Sequence, residues 1–242
     1  MSIIYGKNPV VEAINSGKTI NKIYVAKGTK DIYDVIKLAK DKRIVVVESD
    51  KKKLDKMVDF KNSQGIVASV TDYEYFDVDD ILKEASDRNE PPFVIILDKI
   101  EDPHNLGAII RTVECLGAHG VIIQKRNACQ VTDTVEKTAA GATSFVKVAR
   151  VTNITETIKY LKEKGLWIYG LDMEGASNIY DTKIDGPIGI VVGNEGDGIS
   201  RLVKENCDFM IKIPMTGKIN SLNASVSTAI SIYEVVRQKF KK

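Results

Sequence analysis

FVIILDKIEDPHNLGAIIRT, Phe93 to Thr112, is the stretch on which the fold turns. Its opening run, Phe93–Leu97, is too short for a helix and is rich in β-branched side chains, so it reads as a strand buried on both faces. A polar loop turns at Asp102-Pro103. Leu106–Leu116 follows with helical spacing and starts near Asn105, a residue type suited to an N-cap. Gly107 allows another backbone or a ligand to come close. Arg111 stands between Ala108–Ile110 and Val113, and a cation beside an apolar face needs an anionic partner.

The same alternation runs outward in both directions. Downstream, Gly120–Ile123, Phe145–Val148, Trp167–Leu171, Ile188–Val192 and Phe209–Ile213 are strand candidates. Ile154–Lys164, Ile199–Glu205 and Ser225–Lys239 are helix candidates. Apolar strands alternating with helices predict an α/β fold with a mostly parallel sheet covered on both faces. Ligands of such sheets bind beyond the carboxyl ends of the strands. Upstream, helices at Asn8–Ile14, Asp31–Lys40 and Asp50–Met57 alternate with strands at Lys22–Val25, Ile44–Val47 and Gly65–Val70. Ile44–Val47 is a continuous apolar run and reads as buried. The result is a small α/β sandwich.

Charge separates these regions. Residues 1–71 carry 14 Lys and Arg against 8 Asp and Glu, a balance of +6. Residues 72–90 carry 2 against 8, a balance of −6, and Pro91-Pro92 closes that segment. The remainder carries 19 against 17. The expected organisation is a domain over 1–71, an acidic linker over 72–91 and a second domain over 92–242. A mildly basic first domain suits a polyanion such as RNA.

Composition excludes several classes. The 242 residues are 43% hydrophobic and 28% charged, which suits a globular chain and excludes a disordered or collagen-like one. No apolar run approaches the ~18 residues of a membrane helix, and Met1–Asn8 lacks a signal-peptide core. A cytoplasmic protein without membrane attachment is the expectation. Cys115, Cys129 and Cys207 are far apart, and His104 and His119 are the sole histidines, so neither a disulfide framework nor a metal site is expected.

Two further loops carry unusual residues. Ile190–Ile199, IVVGNEGDGI, runs from a buried strand through Gly193, Gly196 and Gly198. Its spacing is neither the dinucleotide fingerprint nor a P-loop, and it leaves Glu195 in an oriented, exposed place. Ile211–Ser225, IKIPMTGKINSLNAS, ends a strand at Pro214 and leads into a helix of small residues. Ser221 and Asn223 flank Leu222, where they suit a helix cap.

Together and in this order, the three segments resemble the three signature motifs of the SpoU, or TrmH-like, family of RNA ribose 2′-O-methyltransferases in the SPOUT superfamily. Ile4–Ala13, IYGKNPVVEA, and Gln64–Ala68, QGIVA, resemble that family's substrate-binding domain, which has a ribosomal-protein-L30-like fold. The resemblance spans essentially the whole chain. It is strongest to the branch that methylates a guanosine ribose of bacterial 23S ribosomal RNA, although Ser63 stands where that branch commonly has His.

The resemblance implies a deep C-terminal trefoil knot that binds S-adenosylmethionine, with the backbones of Gly193, Ile213 and Leu222 holding the cofactor. It implies a homodimer, with Ser225–Lys239 contributing to the interface. By motif match, Asn105, Arg111, Glu195, Ser221 and Asn223 form the catalytic site, and no metal is needed. Arg111 is the family's proposed base, but a guanidinium keeps its proton in proteins. A fork on a neighbouring RNA phosphate suits it better, with that phosphate or a water taking the hydroxyl proton and Glu195 orienting Arg111 or the ribose. Lys7, Lys18, Lys22, Lys27 and Lys30 are the leading candidates for RNA contact. Transfer-RNA ribose methylation is the alternative within the family. A non-catalytic RNA-binding protein and a nucleotide-dependent dehydrogenase are the alternatives outside it.

Overall fold

The computed structural model describes residues 2–29, 32–59, 61–71, 73–218 and 221–240. The chain divides into two compact units. One comprises residues up to 74 with 131–133, the other 75–130 with 134–242.

The first unit runs β1 (Ser2–Tyr5), α1 (Lys7–Asn15), β2 (Thr19–Ala26), α2 (Tyr33–Asp41), β3 (Val46–Ser49), α3 (Lys51–Met57) and β4 (Ile66–Thr71). Its sheet has the order β1-β4-β2-β3, with only β2 and β3 parallel. Side chains alternate across a strand. Ile66 and Ala68 therefore pack with Val10, Ile14 and Val35 on one face, while Val67 packs with Leu54 and Val58 on the other. β3 corrects the expectation of a buried run. It is an edge strand with β2 as its neighbour, and Val47 is 36% exposed. Ser63 is fully buried. Its hydroxyl donates to Asp55 Oδ1 (2.5 Å) and accepts from the Gly65 amide (3.3 Å). The bonds from Ser63 hold the Asp55 carboxyl below the usual carboxylate value.

The second unit runs α4 (Val78–Asp87), β5 (Phe93–Asp98), α5 (Pro103–Leu116), β6 (Gly120–Gln124), α6 (Asp133–Ala139), β7 (Lys147–Val151), α7 (Ile154–Glu163), β8 (Trp167–Leu171), β9 (Ser177–Asn178), β10 (Ile188–Gly193), α8 (Arg201–Asn206), β11 (Phe209–Lys212) and α9 (Ala224–Phe240). The strands form a seven-stranded sheet of order β7-β6-β5-β10-β8-β11-β9, parallel throughout. β5 and β10 lie in its middle and are fully buried. The parallel pairing makes all carboxyl ends face the same edge, where the three unusual loops emerge.

The acidic segment is not a linker. α4 opens with a capping box between Asp77 and Asp80. Its Ile81 is fully buried in the core with Val94, Ile96 and Ile122. Phe76 bridges Ala149 of β7, and Lys147 pairs with Glu84 at 2.9 Å. Acidic residues cover the outer face of a docked amphipathic helix, which is why a charge reversal looked like a boundary.

Three other boundaries differ from expectation. α5 starts at Pro103, capped by Asp102 rather than Asn105. Asp102 accepts from the amides of His104 (2.6 Å) and Asn105 (3.1 Å), and Pro suits the first helical position. The Asn105 side chain is thereby released from capping. Phe145 is exposed beyond a 3₁₀ turn at Ala142–Ser144, so β7 begins later than Phe145. α6, unforeseen, packs on α5: a Cβ at Gly107 would lie 2.6 Å from Thr138 Cβ. Gly107 thus admits a helix, not a ligand.

Candidate active site

At the carboxyl edge of the seven-stranded sheet, three side chains from three distant segments converge. Asn105 Nδ2 donates to Glu195 Oε1 at 2.5 Å. Asn223 Nδ2 donates to Asn105 Oδ1 at 2.8 Å and to the same Glu195 oxygen at 2.9 Å. The Ala224 amide adds a bond to that oxygen at 3.4 Å. Asn223 also caps α9, its Oδ1 accepting from the amides of Ser225 (2.9 Å) and Val226 (3.3 Å). Capping and site-building, alternatives in the sequence, are carried by two ends of the same amide.

The loop bearing Glu195 is held from both sides. Asn194 Oδ1 accepts from the amides of Gly196 (2.9 Å) and Asp197 (2.7 Å), and the Gly198 amide returns to the Asn194 carbonyl (3.1 Å). A Cβ on Gly193 would lie 2.0 Å from the Gly198 carbonyl carbon, so only glycine fits there. Beyond the loop, the Ser200 amide (2.7 Å) and hydroxyl (2.5 Å) both donate to Asp98 Oδ2, a buried carboxylate at the end of β5.

A cavity of about 300 Å³ opens beside this loop, and Gly193, Ile213, Ser221 and Leu222 all line it, as does Glu195. Sequence reasoning missed Asp172 and Lys204, which line the same cavity and pair at 2.8 Å. Burial pushes the Asp172 carboxyl upward, but hydrogen bonds from Lys204 and the Glu174 amide, with the Lys204 charge, outweigh burial and hold it below the usual value. A lone Asp after a strand and a lone Lys on a short helix have no motif; only the fold joins them. A second cavity of about 240 Å³ adjoins the first. It shares Asn194, Glu195 and Gly196 and adds Lys99, Asp102 and Asn105.

Arg111 is not part of this bonded cluster. It is exposed on α5, lines neither cavity, and its side chain makes no hydrogen bond or ion pair among the described residues. Glu195 is engaged by two asparagines and does not orient it. The lysines are also dispersed. Lys7 opens α1, its amide donating to Gln64 Oε1 (3.4 Å), and Lys27 follows β2. By strand register these two share one end of the four-stranded sheet, Lys18 lies at the other, and Lys22 lies within β2. Lys30 lies outside the described residues.

The sequence pattern of the SpoU rRNA Methylase family matches residues 92–233. The chain belongs to that family. A second pattern, RNA 2'-O ribose methyltransferase substrate binding, matches residues 3–76, so this SpoU chain is an RNA methyltransferase with its own substrate-binding domain. It is 45% identical over 98% of its length to YacO of Bacillus subtilis (strain 168), a protein named for the TrmH family of tRNA/rRNA methyltransferases, and covers 95% of it. Among solved structures it resembles AviRb, a SpoU methyltransferase from Streptomyces viridochromogenes in complex with AdoMet. The TM-score is 0.63 and the identity 24%, over 98% of this chain and 90% of that one. A TrmH/SpoU tRNA modifying enzyme of A. aeolicus aligns with TM-score 0.58 and 28% identity, over 63% of this chain and 77% of that one.

Proposed function

We propose that this SpoU family enzyme transfers the methyl group of S-adenosylmethionine to the 2′-hydroxyl of a guanosine in 23S ribosomal RNA. The observation that carries the reading is the Asn105–Glu195–Asn223 cluster on the rim of a cavity lined by Gly193, Ile213 and Leu222.

The cavity fits the cofactor chemically. S-adenosylmethionine has two cationic groups and one carboxylate, and among the described residues Asp172, Glu174, Glu195 and Asp197 line the cavity against the single cation Lys204. Gly193 lines the cavity with backbone alone, since a Cβ there would meet the Gly198 carbonyl. When bound, the cofactor supplies a methyl group already activated for nucleophilic attack. The chain's task is alignment and proton management. The cluster fixes Glu195 and the two amides without reorganisation, so these side chains would orient the acceptor hydroxyl toward the methyl group that the cofactor would supply. Ser221, on the cavity wall, holds a substrate or cofactor edge. Arg111, exposed and without a side-chain partner among the described residues, receives an RNA phosphate in this reading, and that phosphate or a water accepts the hydroxyl proton.

The enzyme acts as a cytoplasmic homodimer in this reading. Val226, Ile230 and Tyr233 form an exposed stripe along α9, of the kind a second copy covers. The trefoil knot belongs to the same reading. α9 packs along α5, and the loops after β10 and β11 line one cavity, an arrangement that a threaded C-terminal segment explains. The first unit, an L30-like domain in this reading, gathers RNA through phosphate contacts. A transfer-RNA guanosine is the second reading, favoured by the 28% identity to a tRNA modifying enzyme. Mapping ribose methylation in a strain lacking the gene tests both. Loss of one 2′-O-methylguanosine from 23S RNA is expected. Loss from transfer RNA selects the second reading, and an unchanged map of both RNAs overturns the function.

A further inference from the structure

Lys99 occupies a backbone state that its side chain makes costly. It follows the last residue of β5 with φ 59°, in the left-handed region where glycine sits freely and other residues are strained. Of the other non-glycine residues of this kind, Arg43, Asp59, Asn89 and Ala140 come one or two residues after a helix, where a left-handed residue closes the last turn, and Gln64 and Asn127 lie in loops that line neither cavity. Lys99 follows a strand and closes no helix.

The strain is held in place by β6 and the loop after it. The Lys99 amide donates to Gln124 Oε1 at 3.2 Å, and the Cys129 amide donates to the Ile100 carbonyl at 2.7 Å. Gln130 Nε2 in turn binds the Gln124 carbonyl at 2.8 Å. Glycine would relax this turn, so the chain keeps a side chain where backbone economy disfavours one.

The side chain has a place to act. Among the described residues, Lys99 is the one cation lining the 240 Å³ cavity that adjoins the cofactor cavity and shares Glu195 with it. The other carboxylates there are partly engaged: Asp102 Oδ1 by two amides, Glu195 Oε1 by Asn105, Asn223 and an amide. Glu101 stands exposed at the rim. A nucleotide whose ribose reaches Glu195 from this side brings its phosphate with it.

We infer that this second cavity receives the acceptor nucleotide of the RNA and that the Lys99 ammonium binds a phosphate flanking the reacting ribose. The inference rests on the reading of the enzyme as an RNA ribose methyltransferase, and it adds a substrate site distinct from the cofactor cavity.

The test uses the full chain and total RNA from a strain lacking the gene, with Lys99→Gly and Lys99→Arg compared against the unaltered protein. Lys99→Gly removes the charge and relaxes the backbone, so its Tm should equal or exceed that of the unaltered protein. Its KM for RNA should rise about five- to tenfold, and its salt slope of RNA binding should fall by about one contact. Its affinity for S-adenosylmethionine, measured by calorimetry, should stay within about twofold, because Lys99 does not line that cavity. Lys99→Arg should restore most of the RNA affinity. An unchanged KM in Lys99→Gly overturns the inference. A raised KM accompanied by a lower Tm, weaker cofactor binding or failed rescue by arginine also overturns it, since each marks a structural role. If the unaltered protein methylates nothing in this RNA, the functional reading itself fails, and this inference with it.

Discussion

The two sheets of this chain use their polar residues in opposite ways. At the carboxyl edge of the seven-stranded sheet, polar groups bind each other: Asn105, Glu195 and Asn223 meet across 90 and 118 residues of sequence. Around the four-stranded sheet, Lys18 and Lys27 are exposed and lie at opposite ends. The difference follows from the tasks proposed for them. Methyl transfer needs atoms fixed to fractions of an ångström, which side chains bonded to one another provide. Attraction of a phosphate backbone needs only charge, and a mobile lysine supplies it.

The largest expected effect is at Glu195. Glu195→Ala leaves Asn105 Nδ2 and the Ala224 amide without this acceptor and Asn223 Nδ2 with Asn105 Oδ1 alone. Methyl transfer should fall about a thousandfold, or ~4 kcal/mol, while RNA affinity at fixed salt stays within about threefold. Equal losses in both, measured by single-turnover transfer and filter binding, would erase the division of labour between the sheets.

The next effect concerns where the catalytic unit begins. Ile81→Ala removes a fully buried side chain from the core and should cost about 3 kcal/mol in urea unfolding. A fragment over 75–242 should fold and bind S-adenosylmethionine, whereas 93–242 should be markedly less stable. Matching urea midpoints for the two fragments would restore α4 to the status of a linker.

Much of this architecture was legible in the chain. The strong strands and the parallel sheet follow from apolar runs, whereas the meeting of Asn105, Glu195 and Asn223 was implied by the family resemblance of the motifs that end those runs. The role of α4 was hidden because net charge reports the solvent face of an amphipathic helix and is silent about Ile81. β3 deceived for the reverse reason: its apolar run is real, but an edge strand has one neighbour to cover it. Asp172 and Lys204, or Lys99 and Gln124, are brought together by topology alone, so no spacing in the sequence marks them.

A smaller effect sharpens the electrostatic half of the comparison. A Lys7/Lys22/Lys27 triple alanine variant should lower the salt slope of RNA binding by about two to three contacts and leave kcat at saturating RNA within about twofold. Because the structure disperses these residues, their losses should add independently. A slope identical to that of the unaltered chain would show that they only solvate the surface.

The smallest effect is a pH dependence of stability within the catalytic unit. The His119 ring is buried. Its Nδ1 accepts from the Phe93 amide at 3.0 Å and its Nε2 faces Glu90 at 3.2 Å. Burial lowers its pKa below the ordinary histidine value, outweighing the attraction of Glu90, with Arg88 and Lys239 adding to the depression. The unfolded chain therefore binds this proton first. Stability should be complete above about pH 6.5 and decline as pH falls below it toward the folded pKa. Urea unfolding across this window should show the decline, and His119→Gln should flatten it.

Asn223 has a consequence for quality control. Its amide oxygen starts α9 and its amide nitrogen completes the Asn105–Glu195 cluster, so the last helix and the reactive geometry are assembled in a single act. A chain whose final helix is unformed lacks both at once. Such a molecule is silent rather than careless: it has no half-built site with which to mark the wrong ribose. On the proposed reading, the enzyme cannot transfer a methyl group until its last helix has formed.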